Sequence, residues 1–131
     1  MARNRENTVF PMFEIGPITK TEIKKFAEAS QDWNSIHLDE KEAKAAGFPA
    51  EVIHGMWTMG VMTAAVTNWL GKHVEVHEFV TTFSRPLFKG DTVRVGGKVL
   101  QAPAESITIE LFVKNQDDVQ VSHGKVTVRG D

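Results

Sequence analysis

Within eleven residues, Ser30 to Glu40 (SQDWNSIHLDE), the chain places Asp32, Asn34, His37, Asp39 and Glu40. An aspartate and a histidine that meet in space can act as a general acid–base pair. Histidine titrates near neutral pH, and a carboxylate beside it fixes its protonation and orientation. On one helix the spacing of Asp32 and His37 would leave them about 140° from sharing a face. They converge only if Asp32 closes the first helix and His37 sits on a loop, which is where the cap signals place them. The plainer alternative is that Asp, Asn and Ser here are turn and capping residues. His37, between Ile36 and Leu38, would then be a buried, satisfied histidine.

The flanking segments carry clear element signals. Residues 8–18 (TVFPMFEIGPI) read as an edge or bent strand, because proline cannot donate to a ladder interior. Thr19 and Glu22 form a T-x-x-E capping box ahead of Ile23, Phe26 and Ala27, which predicts a helix. A second, short helix is expected over 39–47, with Asp39 as N-cap, Gly47 as stop and Pro49 beyond it. The third, 54–71 (HGMWTMGVMTAAVTNWLG), is apolar nearly all round, which predicts a helix buried within the domain. Gly60 and Ala64 on it leave room for close approach of another backbone.

From residue 75 the pattern alternates. Strands are expected at 75–88, 91–102, 106–115 and 119–128, separated by the turn material KGD, PAE and QDD. The order predicts an α+β fold, an antiparallel sheet curled round a buried helix.

Bulk properties narrow the function classes. The 131 residues predict a single domain, 1–131, and 41% hydrophobic with 24% charged residues is ordinary globular composition. A net charge of −2 argues against nucleic-acid binding, which needs a basic excess. The absence of cysteine removes disulfides, thiolate metal sites and a cysteine nucleophile. Two arginines without a following apolar run at the start predict no secretory leader, and Met56–Leu70 is too short and interrupted to span a bilayer. A soluble protein of the cytoplasm, with no membrane partner, is the expectation.

The composite segment SQDWNSIHLDEKEAKAAGFPAEVIHGM resembles the signature of the MaoC-like dehydratases, which include the (R)-specific enoyl-CoA hydratases. That signature runs D-x-N-P-hydrophobic-H-x-D, then A-x-x-x-G-F, then a hydrophobic-A/V-H-G-M helix start. FSRPLFKGDTV is similar to the family's strand-and-turn segment, so the resemblance covers residues 19 to 95. It implies a hotdog fold, a long central helix wrapped by a curved antiparallel sheet. It also implies a dimer with joined sheets and active sites near the interface. By position, Asp32 and His37 match the family's catalytic pair and Asn34 its accompanying amide. Gly55 matches the residue whose backbone N–H helps bind the thioester oxygen. Ser35 departs from the pattern, standing where a proline would stiffen the loop.

The implied activity is a hydro-lyase of fatty acid metabolism, hydrating trans-2-enoyl thioesters reversibly to (R)-3-hydroxyacyl thioesters. It needs no cofactor beyond the coenzyme A or acyl-carrier protein that is part of the substrate. A homodimer or higher homo-oligomer is expected, with a hetero-oligomer still open. The rival readings are an acyl-CoA thioesterase on the same fold and a subunit of a hetero-oligomeric dehydratase.

On the substrate side, His54 is a candidate for the site or a structural histidine at a helix start, and Met56 lines an acyl tunnel or belongs to the core. Arg85 and Lys89, with Arg94, meet coenzyme A phosphates or are ordinary solvated strand-end charges. His73, His77 and His123 lack ligand spacing, so no metal is expected.

Overall fold

A computed structural model describes residues 6–103 and 105–129. Its elements are strand β1 (Val9–Ile15), helices α1 (Lys20–Ser30), α2 (Ser35–Leu38), α3 (Glu40–Ala45) and α4 (Gly55–Leu70), and strands β2 (Glu75–Phe83), β3 (Val93–Gln101), β4 (Ser106–Lys114) and β5 (Gln120–Arg129). The five strands make one sheet in the order β1-β3-β4-β5-β2, every pair antiparallel. This is the α+β architecture expected, with α4 laid across one face of the sheet. Among the described residues, no helix is long and apolar enough to cross a membrane.

β1 is an edge strand, and its register against β3 shifts between Phe10 and Phe13, the interval that holds Pro11. Proline removes a ladder donor, so an edge bulge is where it costs least. α1 starts as the capping box predicts: the Thr19 hydroxyl accepts from the Glu22 N–H, and the Glu22 carboxylate accepts from the Thr19 N–H. It stops at Gln31, in the left-handed region at φ 61°.

α4 departs in one respect from a helix enclosed all round. Thr58, Val61, Met62, Ala65 and Val66 form a buried stripe at helical spacing. That stripe packs on the sheet's Val95, Val99, Ile109, Leu111, Val113, Val126 and Val128. Each large apolar side chain so enclosed contributes about 1.5–3 kcal/mol relative to exposure. Met56, Gly60, Ala64 and Asn68 lie on the exposed side, Met56 at 62%. A single sheet has one concave face, so within one chain it covers one stripe of the helix.

The fit of α4 into the sheet depends on Gly124 of β5. A Cβ there would stand 2.7 Å from the Val80 carbonyl of β2 and 3.1 Å from the Met62 methyl of α4. The first neighbour is backbone, which cannot rotate away. Gly124→Ala should therefore cost about 1–3 kcal/mol of stability, the range for overpacking, read as a lower urea midpoint. An unchanged midpoint would contradict this packing.

Candidate active site

The segment between α1 and α4 is a chain of short caps. The Asp32 carboxylate accepts from the Asn34 N–H (Oδ1, 3.2 Å), and the Asn34 side-chain oxygen accepts from the Ile36 N–H (3.2 Å). Asn34 thereby caps α2, a single turn that carries His37. Asp39 caps α3 as expected, accepting from the N–H groups of Lys41 and Glu42. His37 thus stands on a one-turn helix and not on an irregular loop. Ser35 opens that turn where proline was the family pattern, and its carbonyl accepts from the Asp39 N–H.

Residues 51–54 run behind this turn and are pinned on both sides. The Val52 N–H donates to the Ile36 carbonyl (2.9 Å), the Ile53 N–H to Leu87 (2.8 Å), and the Lys89 N–H to Glu51 (3.0 Å). The Val52 carbonyl sits 2.6 Å from His37 Nδ1. A carbonyl oxygen can only accept, so Nδ1 carries the hydrogen and Nε2 of the neutral ring is a bare lone pair. Nε2 lies 3.7 Å from Asp32 Oδ2. That is too long for a direct hydrogen bond, but it suits one water donating a hydrogen to each atom. Asp32 is half exposed and His37 buried, so the pair stands at the rim of the protein with the ring set back.

His54 lies behind His37. Their rings stack with centroids 3.8 Å apart and planes 23° from parallel, and Phe26 covers His54 at 5.0 Å. Its Nε2 is 3.1 Å from the Asp32 carbonyl, so it donates there. Nδ1 is buried and without a partner among the described residues. With 3% of its surface exposed, His54 backs the pair; an expected place at the substrate surface does not match this enclosure. Burial holds its pKa below the ordinary 6.5; the bond to the Asp32 carbonyl opposes this, His37 adds to it, and the Asp32 charge opposes it again.

Asp32, His37 and His54 bring ligand-type atoms within 4.8 Å of one another. Yet His37 Nδ1 and His54 Nε2 are already engaged and His54 Nδ1 is enclosed. That leaves a carboxylate and one ring nitrogen, fewer than the three or four protein ligands zinc takes. The arrangement suits proton transfer better than metal binding.

α4 begins one residue beyond His54. His54 is its N-cap residue but supplies no side-chain cap bond. The first N–H groups of a helix lack intrahelical partners and lie at the positive end of its dipole. A Cβ on Gly55 would meet only the Phe83 ring, at 3.6 Å, an ordinary contact. Packing therefore does not demand glycine at this exposed position. Met56 follows on the open side of α4, and Arg85 lies on the exposed segment beyond β2. Lys89 points its ammonium at Glu51 Oε2, 3.5 Å away.

Glu51 is the residue that motif reading passed over. It is buried at 1% exposure, and its Oε2 also takes Lys20 Nζ at 2.9 Å. Burial alone would raise its pKa. The Lys20 hydrogen bond, a backbone hydrogen bond and the charges of Lys20 and Lys89 outweigh that and hold it below the ordinary value. The available signal was a lone carboxylate inside the apolar run FPAEVI. The Val52 carbonyl, being backbone, has no side-chain signal at all.

A family model described as MaoC like domain matches residues 11–124. The chain belongs to the MaoC-like family. A mitochondrial 3-hydroxyacyl-[acyl-carrier-protein] dehydratase of Arabidopsis thaliana is 32% identical over 122 residues, 87% of this chain and 71% of that protein. The peroxisomal hydratase-dehydrogenase-epimerase of Saccharomyces cerevisiae is 29% identical over 119 residues. They are 88% of this MaoC-like chain and only 13% of the yeast protein. Among solved structures, the (R)-hydratase from A. caviae superposes with a TM-score of 0.88 at 22% identity, over 96% of each chain. That likeness establishes the hotdog fold.

The depressed His54 pKa fixes the sign of one stability term. The unfolded chain binds a proton near 6.5, while the folded chain resists protonation to lower pH. Stability from this group is whole above that value and is lost as pH falls below it. The urea midpoint should decline from about pH 7 to about pH 5.5, and His54→Gln should flatten the decline. Parallel declines in both proteins would contradict the neutral, enclosed His54.

Proposed function

We propose that this chain hydrates trans-2-enoyl thioesters reversibly to (R)-3-hydroxyacyl thioesters. The observation that carries the reading is the bare Nε2 of His37, 3.7 Å from the Asp32 carboxylate and beside the N-terminus of α4. Membership of the MaoC-like family supports the reaction class. A water bridging Nε2 and Oδ2 loses a proton to Nε2 as its oxygen bonds to the β-carbon. The double-bond electrons move toward the thioester oxygen, giving an enolate-like state. The Gly55 N–H and the helix dipole stabilise that charge. The pair then delivers one proton to the α-carbon and the thioester re-forms. One water is added and no proton is left over. Dehydration is the reverse, and Asn34 acts by capping the turn that holds His37.

On the substrate side, Met56 is proposed to meet the acyl chain from the open face of α4. Arg85, exposed beyond β2, is proposed to meet a phosphate of coenzyme A or of an acyl-carrier protein. Lys89 serves there only to the extent that Glu51 leaves it free. The exposed side of α4 and the edge strand β2, with Val80 at 60% exposure, are proposed to be covered by a second copy. That places the Gly55 end of α4, next to Phe83, near the joint.

The test is crotonyl-CoA and longer enoyl-CoAs with purified protein, following loss of the conjugated absorbance and trapping any free thiol with a dye. Hydration without thiol release is expected; thiol release in its place would favour a thioesterase. Asp32→Asn and His37→Ala should each lower kcat about 10²–10⁴-fold, the span of general acid–base catalysis, in folded protein. Near-normal rates in either would refute the pair. Gly55→Pro removes one N–H where a first helical position tolerates proline. It should fold and lose about 10²–10³-fold in kcat, the cost of one oxyanion donor. A fully active Gly55→Pro would remove Gly55 from the mechanism.

A further inference from the structure

The proton chemistry above makes no use of the charged cluster formed by Lys20, Glu51 and Lys89. Only Glu51 is buried, while the Lys20 and Lys89 side chains are 40% and 38% exposed. Ion pairs open to water are worth little, and burying a carboxylate costs its hydration, so the cluster is a weak source of stability. Here one carboxylate oxygen, Glu51 Oε1, is also buried without a hydrogen-bond partner among the described residues. Stability alone is thus a poor reason for the cluster, and its connections suggest another. Lys20 Nζ, at the start of α1, bonds Glu51 Oε2 (2.9 Å) and also donates to the Leu38 carbonyl. Leu38 directly follows His37, and Glu51 directly precedes Val52, whose carbonyl holds His37 Nδ1. On the other side of His37, Ile36 accepts from the Val52 N–H. The ammonium therefore ties the main chain after His37 to the main chain that carries its acceptor. Lys89 reinforces the same point twice, through its own N–H to the Glu51 carbonyl (3.0 Å) and its ammonium to Oε2 (3.5 Å).

We propose that Lys20 and Glu51 are positioning residues for His37, an ion-pair clamp that keeps the Val52 carbonyl against Nδ1 and so keeps Nε2 unprotonated and aimed at Asp32. The clamp touches no reacting atom; it acts through the tautomer and placement of one ring. Lys20 and Glu51 lie within the stretch that carries the family resemblance, but that resemblance gives a part only to Asp32, Asn34, His37 and Gly55 and none to these two. The kinetic consequence rests on the hydration reading, whereas the tautomer does not.

The experiment uses Glu51→Gln and Lys20→Met in the full chain, with Lys20→Arg as the conservative control. Nitrogen-15-labelled histidine is followed by NMR, and the His37 signal is assigned by its loss in His37→Gln. Wild type should hold the His37 hydrogen on Nδ1. Both disrupting variants should shift that signal toward a mixture of tautomers. They should also lower kcat about 10- to 100-fold, the effect of a small misplacement of a catalytic group, with KM within about two-fold. Lys20→Arg, which keeps charge and donors, should restore both readouts. A wild-type tautomer and wild-type kcat in either folded variant, with only the unfolding midpoint changed, would overturn the clamp. Should one variant fail to fold, the other decides. If the wild-type protein hydrates nothing, the hydration reading falls, and the tautomer shift still upholds or overturns the clamp.

Discussion

The hydrogen bond between His37 Nδ1 and the Val52 carbonyl, 2.6 Å long, is the contact on which the site depends. An imidazole has two nitrogens and, when neutral, one hydrogen. A carbonyl at one nitrogen decides that the other is a base. Every neighbour of this bond serves to hold it. Asn34 caps the turn that carries the ring, and the Val52 N–H returns to Ile36 beside it. His54 fills the space behind, stacked on His37 and donating to the Asp32 carbonyl. Two segments distant in sequence, 32–37 and 52–54, thus meet around a single proton position.

The sheet supplies the rigidity. Residues 51–54 are fastened to 87–89, the turn that leads into β3, and they end at the N-cap of α4. α4 in turn is seated by its stripe of Thr58, Val61, Met62, Ala65 and Val66 on the core face of the strands. A ring packed against a segment that continues into a seated helix has little freedom to drift. The same continuity carries the N-terminus of α4 next to His37, whose ring stacks on that of the N-cap residue His54. Loops held by rigid elements are a common setting for catalytic groups, and the caps of this loop explain how so short a connection keeps its shape.

Much of this was legible in sequence where the signal is local. The capping box at Thr19 and Glu22, the cap at Asp39 and the alternation after residue 75 all rest on near neighbours in the chain, and each is found, though the strand expected over 75–88 ends at Phe83, ahead of the Ser84–Arg85–Pro86 break. The fold class followed from their order. α2 was not legible, since four residues are too few for helical periodicity. The all-round apolar character of α4 predicted full enclosure, but one sheet covers only the stripe it faces. Asp32 and His37 were legible as a candidate pair, because motif and cap signals agreed. Their 3.7 Å separation, the tautomer set by Val52 and the ion pairs of Glu51 were not. The last two are contacts between segments distant in sequence, one of them through a backbone carbonyl that every residue possesses, and the first depends on the caps that shape the short span from Asp32 to His37.

In the proposed reaction, a water held between His37 and Asp32 adds across a carbon–carbon double bond. The most direct measurement runs the reaction on an enoyl-CoA in water labelled with oxygen-18 and deuterium, and analyses the product by mass spectrometry and chiral separation. Hydration predicts one oxygen-18 on carbon 3 and one deuterium on carbon 2 of an intact thioester, in the (R) configuration. Oxygen-18 found in a free carboxylate, with carbon 3 unlabelled and the double bond retained, would contradict it.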